Sequence, residues 1–225
     1  MPTLLISGAN RGIGLELARQ FSHDGWSVIG TAREVSAATE LAGFPNTTVL
    51  PLEATDSASI AALVSSLAGR PVDVLIANAG IAINLEAKPA EVTRADFLKV
   101  IRTNTIAPFA LATALKPNIL ASERKIALAM SSLMSSITAN DWATQYTYRA
   151  SKTALNASWR ALALEWAPES ITTGLIRPGM VATEMTQYRG ITVETSVAGL
   201  KKVVEGLTLA DAGRIIGYDG TNVPW

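Results

Sequence analysis

Apolar positions along the chain fall into two alternating rhythms. Short, nearly unbroken apolar runs occupy residues 4–7, 27–31, 48–51, 72–77, 125–131, 171–177 and 214–217. Between them lie longer stretches of helical pattern, near 12–24, 35–42, 57–68, 91–115, 147–167 and 194–206. The short runs predict strands buried on both faces, and the longer ones predict helices with one apolar stripe. Strands alternating with crossover helices imply a mostly parallel sheet of about seven strands, covered on both faces. Right-handed crossovers then favour a doubly wound, Rossmann-like α/β sheet, read as a single domain over residues 1–225. Ligands of such sheets bind beyond the carboxyl ends of the strands, so residues just after strands carry the functional information.

Composition narrows the classes. With 225 residues, 48% hydrophobic and 17% charged, the chain can bury one sizeable core. Nineteen basic side chains balance nineteen acidic ones, which leaves no footprint for nucleic acid or an anionic membrane. The absence of cysteine excludes disulfides, cysteine-ligated zinc and thiol chemistry. The longest uncharged run, 126–140, is broken by Ser, Thr and Asn, and the first residues lack a basic and apolar signal pattern. A cytoplasmic protein is expected, with no metal site. His23, the one histidine, sits late in the first predicted helix, so a histidine-based triad has no support.

The loop Ser7-Gly8-Ala9-Asn10-Arg11-Gly12-Ile13-Gly14 follows the first strand and opens the first helix. Glycines there permit a tight turn and a close approach of backbone to a pyrophosphate, and a helix N-terminus favours an anion. Dinucleotide binding is the expectation. The second strand ends in Thr31-Ala32-Arg33, where an NAD site usually places a carboxylate. Arg33 and Arg11 suit a ribose 2′-phosphate, because a guanidinium can pair with it bidentately. Glu34, one residue on, argues the other way, and NADP(H) is the reading adopted.

In Tyr148-Arg149-Ala150-Ser151-Lys152, the phenol and the ammonium fall four residues apart, on one face of a helix. A neighbouring ammonium favours the phenolate, and moving a phenol from about 10 to near 7 needs about 4 kcal/mol. The pair is therefore a candidate general acid/base for an alcohol or carbonyl. Alone, such a pair also arises by chance.

Together, the glycine loop and this pair make the chain resemble the short-chain dehydrogenase/reductase family over essentially its whole length. Gly8, Gly12 and Gly14 match the family's cofactor glycines, and Asn78-Ala79-Gly80 matches its Asn-Ala-Gly motif after the fourth strand. Asn104 falls at its helix asparagine, Ser131-Ser132 at its catalytic serine, and Pro178-Gly179 with Thr183 at its nicotinamide-holding segment. The ending Tyr218-Asp219-Gly220-Thr221-Asn222-Val223-Pro224-Trp225 and the phrase Tyr-Arg-Ala-Ser-Lys look like the sniffer- and C-factor-type carbonyl reductase branch.

That resemblance implies NADPH-dependent reduction of an aldehyde or ketone. Ser132 would orient the carbonyl oxygen and Tyr148 would donate the proton. Lys152 would lower the phenol pKa and hold the nicotinamide ribose, and Asn104 would stabilise a water behind it. Asn10, Arg11, Ile13, Arg33, Ala54 and Val181 join the matched motif residues in the implied cofactor site. The resemblance also implies a homodimer or homotetramer, through helices near 95–115 and 150–167.

Some positions depart from the family pattern. Ala77 replaces a second Asn, Glu53 stands where an Asp usually meets the adenine amino group, and Arg177 precedes Pro178. A spacing of 13 residues before Tyr148 selects Ser135 as the catalytic serine, whereas strand topology selects Ser132; the adopted choice is Ser132. Trp142, Tyr146 and Met134 could line the pocket or the core, and Trp159 and Trp166 could pack internally or against another subunit. Met180, Met185, Tyr188 and Arg189 fall in the segment that usually closes over substrate. The same residues would also serve an alcohol dehydrogenase running oxidatively, and a cofactor-binding sensor would need only the glycine loop.

Overall fold

The computed structural model describes residues 1–225. Seven strands form one sheet: β1 (Thr3–Ile6), β2 (Ser27–Ala32), β3 (Thr47–Pro51), β4 (Val74–Ala77), β5 (Ile126–Met130), β6 (Thr172–Arg177) and β7 (Ile215–Gly217). Their order is β3-β2-β1-β4-β5-β6-β7, and all six neighbouring pairs are parallel. The chain reverses direction of growth between β1 and β4, which opens a crevice at their carboxyl ends.

The helices are α1 (Gly12–His23), α2 (Thr39–Ala42), α3 (Ser57–Leu67), α4 (Arg94–Ile101), α5 (Ala107–Leu120), α6 (Tyr146–Trp166) and α7 (Val193–Gly206). Side chains alternate across the strands, and each face has its own core. Leu4, Ile6, Val28, Ile76, Leu128 and Ile176 pack with α1, α2 and α7. Leu5, Ile29, Leu75, Ala127 and Leu175 pack with α3, α5 and α6. This two-sided burial is why the strands read as continuous apolar runs rather than alternating ones. Trp159 and Trp166 lie fully inside the second layer, and the Trp159 indole donates to the Ala127 carbonyl at 3.3 Å. They are packing residues.

Two predicted helices differ. The span 35–42 is a 3₁₀ turn, Val35–Ala37, followed by α2. The span 91–115 is not one helix. α4 starts at Arg94 because Thr93 caps it, its hydroxyl accepting from Asp96 N at 3.1 Å while Asp96 reaches back. A π turn, Arg102–Ile106, then separates α4 from α5. Such a turn inserts one residue into the helical ladder and often marks a functional site. Here it carries Asn104, whose side chain is fully buried.

The sheet's β7 border is closed from within. Residues 221–223 fold back along it: Gly217 N donates to Thr221 O and Val223 N to Ile215 O, each at 2.8 Å. Beyond them, the Trp225 carbonyl accepts from Thr138 N at 2.9 Å and from the Ser136 hydroxyl at 3.2 Å. No helix is long and apolar enough to cross a membrane.

Burial separates positions on α6 sharply. Trp159→Ala is expected to cost about 3–5 kcal/mol in denaturant unfolding. Leu164→Ala, at a position 64% exposed, should stay within about 0.5 kcal/mol of wild type.

Candidate active site

β1 delivers the chain into the glycine turn, which is pinned to both neighbouring strands. Ala9 N donates to Thr31 O at 2.9 Å, and Ser7 N to Ile76 O at 3.1 Å. Gly8 adopts φ +67°, a left-handed conformation that suits glycine. Gly14 answers to space instead: a β-carbon there would overlap the Gly8 carbonyl and sit 2.7 Å from Asn78 Nδ2. α1 begins with Arg11 at its N-cap, and no side chain caps it. Its first-turn amides therefore keep unpaired N–H groups beside the crevice, a fit for a pyrophosphate. Asn10 is exposed on this turn, and Ile13 packs into the core beneath it.

Asn78-Ala79-Gly80 locks the far wall. Asn78 Nδ2 donates to Ser7 O at 3.1 Å and to Gly8 O at 3.0 Å. The Ser7 hydroxyl accepts from Asn78 N and Ala79 N at 3.0 and 3.1 Å. Ala77, the departure from the family pattern, thus leaves the loop well tied. Gly80 faces the catalytic cluster: a β-carbon there would lie 3.3 Å from Asn104 Oδ1 and 3.6 Å from Lys152 Nζ.

At the ribose end, Arg33 is exposed just past β2, and Glu34 beside it is exposed too. Arg11 is committed elsewhere. Its guanidinium pairs with Glu184, in the segment after β6, rather than standing free beside Arg33. Glu53 Oε1 accepts from the Thr55 hydroxyl at 2.7 Å and from Thr55 N at 3.1 Å. Those bonds, helped by Arg33 and Arg102, hold its carboxyl below the usual range. Glu53 is turned toward its own loop, with Ala54 partly exposed next to it.

After β6, Pro178 O accepts from the Ser196 hydroxyl at 2.6 Å. Gly179 lies so close to the Tyr218 ring that a β-carbon would sit 2.8 Å from it. Val181 is buried and bridges to Ile191, and the Thr183 methyl group approaches the glycine turn at Gly12. Met180, Met185 and Tyr188 are exposed along this segment.

The catalytic candidates converge from three elements. Ser132 follows β5 and caps the 3₁₀ turn Leu133–Ser135, its hydroxyl accepting from Met134 N at 3.1 Å. That hydroxyl is also close enough to the half-buried Tyr148 phenol to favour its ionised form. Lys152, buried, donates to Met130 O at 2.7 Å and lies 5.8 Å from the Tyr148 ring centre. Asn104 Oδ1 accepts from Ile81 N at 2.8 Å, and its amide donates to Ile81 O and to the Ser151 hydroxyl. Ser151 in turn donates to Tyr148 O at 2.7 Å.

Ser135 does not join this group. It is buried, and its hydroxyl donates to Ser132 O at 2.5 Å.

The expected influence of Lys152 on Tyr148 needs correction in this state. Burial pushes the phenol above its ordinary value of 10, and the neighbouring Ser132 hydroxyl only partly offsets that. Burial also lowers Lys152 to about 8. The ammonium is engaged with a strand-end carbonyl, so proximity along the helix does not translate into an acidified phenol.

Sequence reasoning missed Ser7, Ser151 and Glu184. Ser151 lay in plain view within the Tyr148–Lys152 pentad, but a serine at that spacing carries no chemical signature. The Arg11–Glu184 pair joins residues 173 apart, which no local pattern reveals.

A family model described as enoyl-(acyl carrier protein) reductase matches residues 8–210. The C-signal protein of Myxococcus xanthus is 33% identical over 165 residues, covering 73% of this chain and 99% of its own. An NADPH-bound carbonyl reductase from chicken fatty liver is 31% identical with a TM-score of 0.93, covering 100% of this chain and 99% of that one. The carbonyl reductase Sniffer of D. melanogaster is 29% identical with a TM-score of 0.92, covering 100% of both chains.

The glycine turn gives a direct test. Gly14→Ala must displace the Gly8 carbonyl or Asn78, at a cost of about 1–3 kcal/mol. Thermal unfolding should show that loss, and dinucleotide binding by calorimetry should weaken with it.

Proposed function

Because the chain belongs to the short-chain dehydrogenase/reductase family, we propose that it is an NADPH-dependent reductase of aldehydes or ketones. The observation that carries this reading is the placing of Tyr148 and buried Lys152 on one helix face beside the end of β5, with Lys152 bonded to the Met130 carbonyl and 5.8 Å from the Tyr148 ring. The uncapped start of α1, the fixed glycine turn and Arg33 support a phosphorylated dinucleotide, and an NADPH-bound structural relative points the same way.

The turn residues Gly8–Gly14 would hold the pyrophosphate, with Arg33 at the ribose phosphate and Asn78–Gly80, Pro178–Gly179, Val181 and Thr183 flanking the nicotinamide half. When bound, NADPH supplies the hydride. Ser132 hydrogen-bonds the carbonyl oxygen and orients it. Tyr148 gives its phenolic proton to that oxygen as negative charge develops there. The half-buried phenol keeps its proton through neutral pH, the form that the reductive step requires. Lys152 offers its ammonium to the ribose hydroxyls. Asn104 ties the π turn to Ile81 and to Ser151 of α6, and would stabilise a water through which the proton is resupplied from the Lys152 side.

Exposed apolar side chains on α4, the π turn, α5 and α6 (Leu98, Ile106, Phe109 and Leu164) suit a homo-oligomer assembled through that face. The even charge balance fits a small-molecule substrate rather than nucleic acid or an anionic membrane.

The test is NADPH and NADH consumption against a panel of aldehydes, ketones and quinones. Turnover with a preference for NADPH is expected. Tight NADPH binding with no turnover across the panel would overturn the reading in favour of a sensor. Tyr148→Phe should lose about 10²–10⁴-fold in kcat while NADPH still binds.

A pH titration tests Lys152 separately. In the free protein its charge is present below about 8 and lost above. NADPH affinity, followed by fluorescence, should therefore be highest below that value and fall as pH rises through it. Lys152→Met should bind more weakly and show no such fall.

A further inference from the structure

Arg149, next to the proton donor in sequence, takes no part in the chemistry just described. It is only 9% exposed. Its Nε donates to Thr144 O at 3.2 Å and its Nη2 to Trp142 O at 3.3 Å. The guanidinium carbon lies 4.6 Å from the centre of the Trp142 ring. Nη1 is covered from solvent and has no partner.

A buried cation with an unpaired donor is a poor device for stability, because its desolvation is only partly offset. What it does do is hold one loop. That loop runs from the Ser132 turn to Tyr148, and Gln145 N ties it to Leu85 O at 3.1 Å, in the segment that follows Gly80. Thr144 and Gln145 are consecutive non-glycine residues at φ +88° and +60°. Side chains rarely adopt this conformation, and it persists only where the surroundings over-determine it. Arg149 supplies that determination by spanning two carbonyls with one planar fork, which a lysine cannot do. Trp142 is then presented with Arg149 on one side and 46% of its surface exposed.

We propose that Arg149 is a positioning residue that sets carbonyl selectivity, pinning the 142–145 loop so that Trp142 forms an aromatic wall beside Ser132 and Tyr148. The wall favours carbonyl compounds with an aromatic ring over small aliphatic ones. This rests on the reductase reading above.

The experiment compares wild type, Arg149→Met, Arg149→Lys, Trp142→Ala and the Arg149→Met/Trp142→Ala double variant. Each is assayed with benzaldehyde, propanal and NADPH, and amide hydrogen exchange is followed at Gln145 and Arg149. Arg149→Met should lose about five- to tenfold in kcat/KM for benzaldehyde, mainly through KM, and under about twofold for propanal. NADPH affinity should hold within about twofold, Lys should not rescue, and the double variant should be no more impaired than Trp142→Ala. Exchange at Gln145 should accelerate in Arg149→Met while α7 stays protected.

An unchanged benzaldehyde-to-propanal ratio overturns the proposal, and so does a joint loss of both substrates and NADPH. If wild type reduces neither compound but does reduce others of the panel above, an aromatic and an aliphatic member that it turns over replace these two. If it reduces no carbonyl of that panel, the reductase reading fails instead. The exchange arm then judges the pin alone, and unchanged protection at Gln145 overturns it.

Discussion

The hydrogen bond from buried Lys152 to the Met130 carbonyl is the constraint around which the site is arranged. An ammonium taken out of water needs a partner, and this chain provides a strand-end carbonyl rather than a carboxylate. With the Ser131–Asn156, Thr153–Ser135 and Trp159–Ala127 hydrogen bonds, that contact fixes the axial position of α6 against β5 and the turn that follows it. Ser132 follows Met130 by two residues, and Tyr148 precedes Lys152 by one helical turn, so both inherit their placement from it. A second tie, Asn104 to Ser151, holds the π turn against the same stretch of α6. Elements from three parts of the chain are thus registered by hydrogen bonds to backbone and hydroxyl groups. Like-charge repulsion and ion pairing play little part.

Much of this was legible in the sequence, for identifiable reasons. Strands buried on both faces announce themselves as apolar runs, and the glycine turn is constrained by space that only glycine satisfies. The site was readable as a set of residues but not as a set of energies. Four-residue spacing predicts that Tyr148 and Lys152 are neighbours, yet it says nothing of burial, and burial decides both their proton affinities. Spacing pointed to Ser135 and strand topology to Ser132; neither carries the difference in burial and bonding between the two, Ser135 being buried with its hydroxyl on the Ser132 carbonyl. The break in the 91–115 helix was half visible, since Thr93 and Asp96 form a capping box in the sequence. The π turn was not, because one inserted residue leaves the apolar pattern nearly intact.

The pair between Arg11 and Glu184 shows another limit of local reasoning. Arg11 belongs to the cofactor turn, and Glu184 to the segment bordering the substrate side. An arginine in a glycine loop invites a phosphate assignment. Its partner here comes from the other end of the chain, so the two walls of the cleft are linked through one exposed ion pair, worth about 0–1 kcal/mol. A contact that weak can yield to a ligand without endangering the fold.

The fold-back of residues 221–223 along β7 has a consequence for how copies of the molecule could meet. An open strand border is a template on which a second sheet can grow, and two such borders related by a dyad could merge into one continuous sheet. Here the donors and acceptors of β7 are already spent on the chain's own tail. Merging through that border would require unzipping the tail, which is also fastened to the Ser136–Thr138 turn. Self-association by sheet growth is therefore blocked at one border of the molecule, and the same strap that blocks it braces the rim of the catalytic cleft.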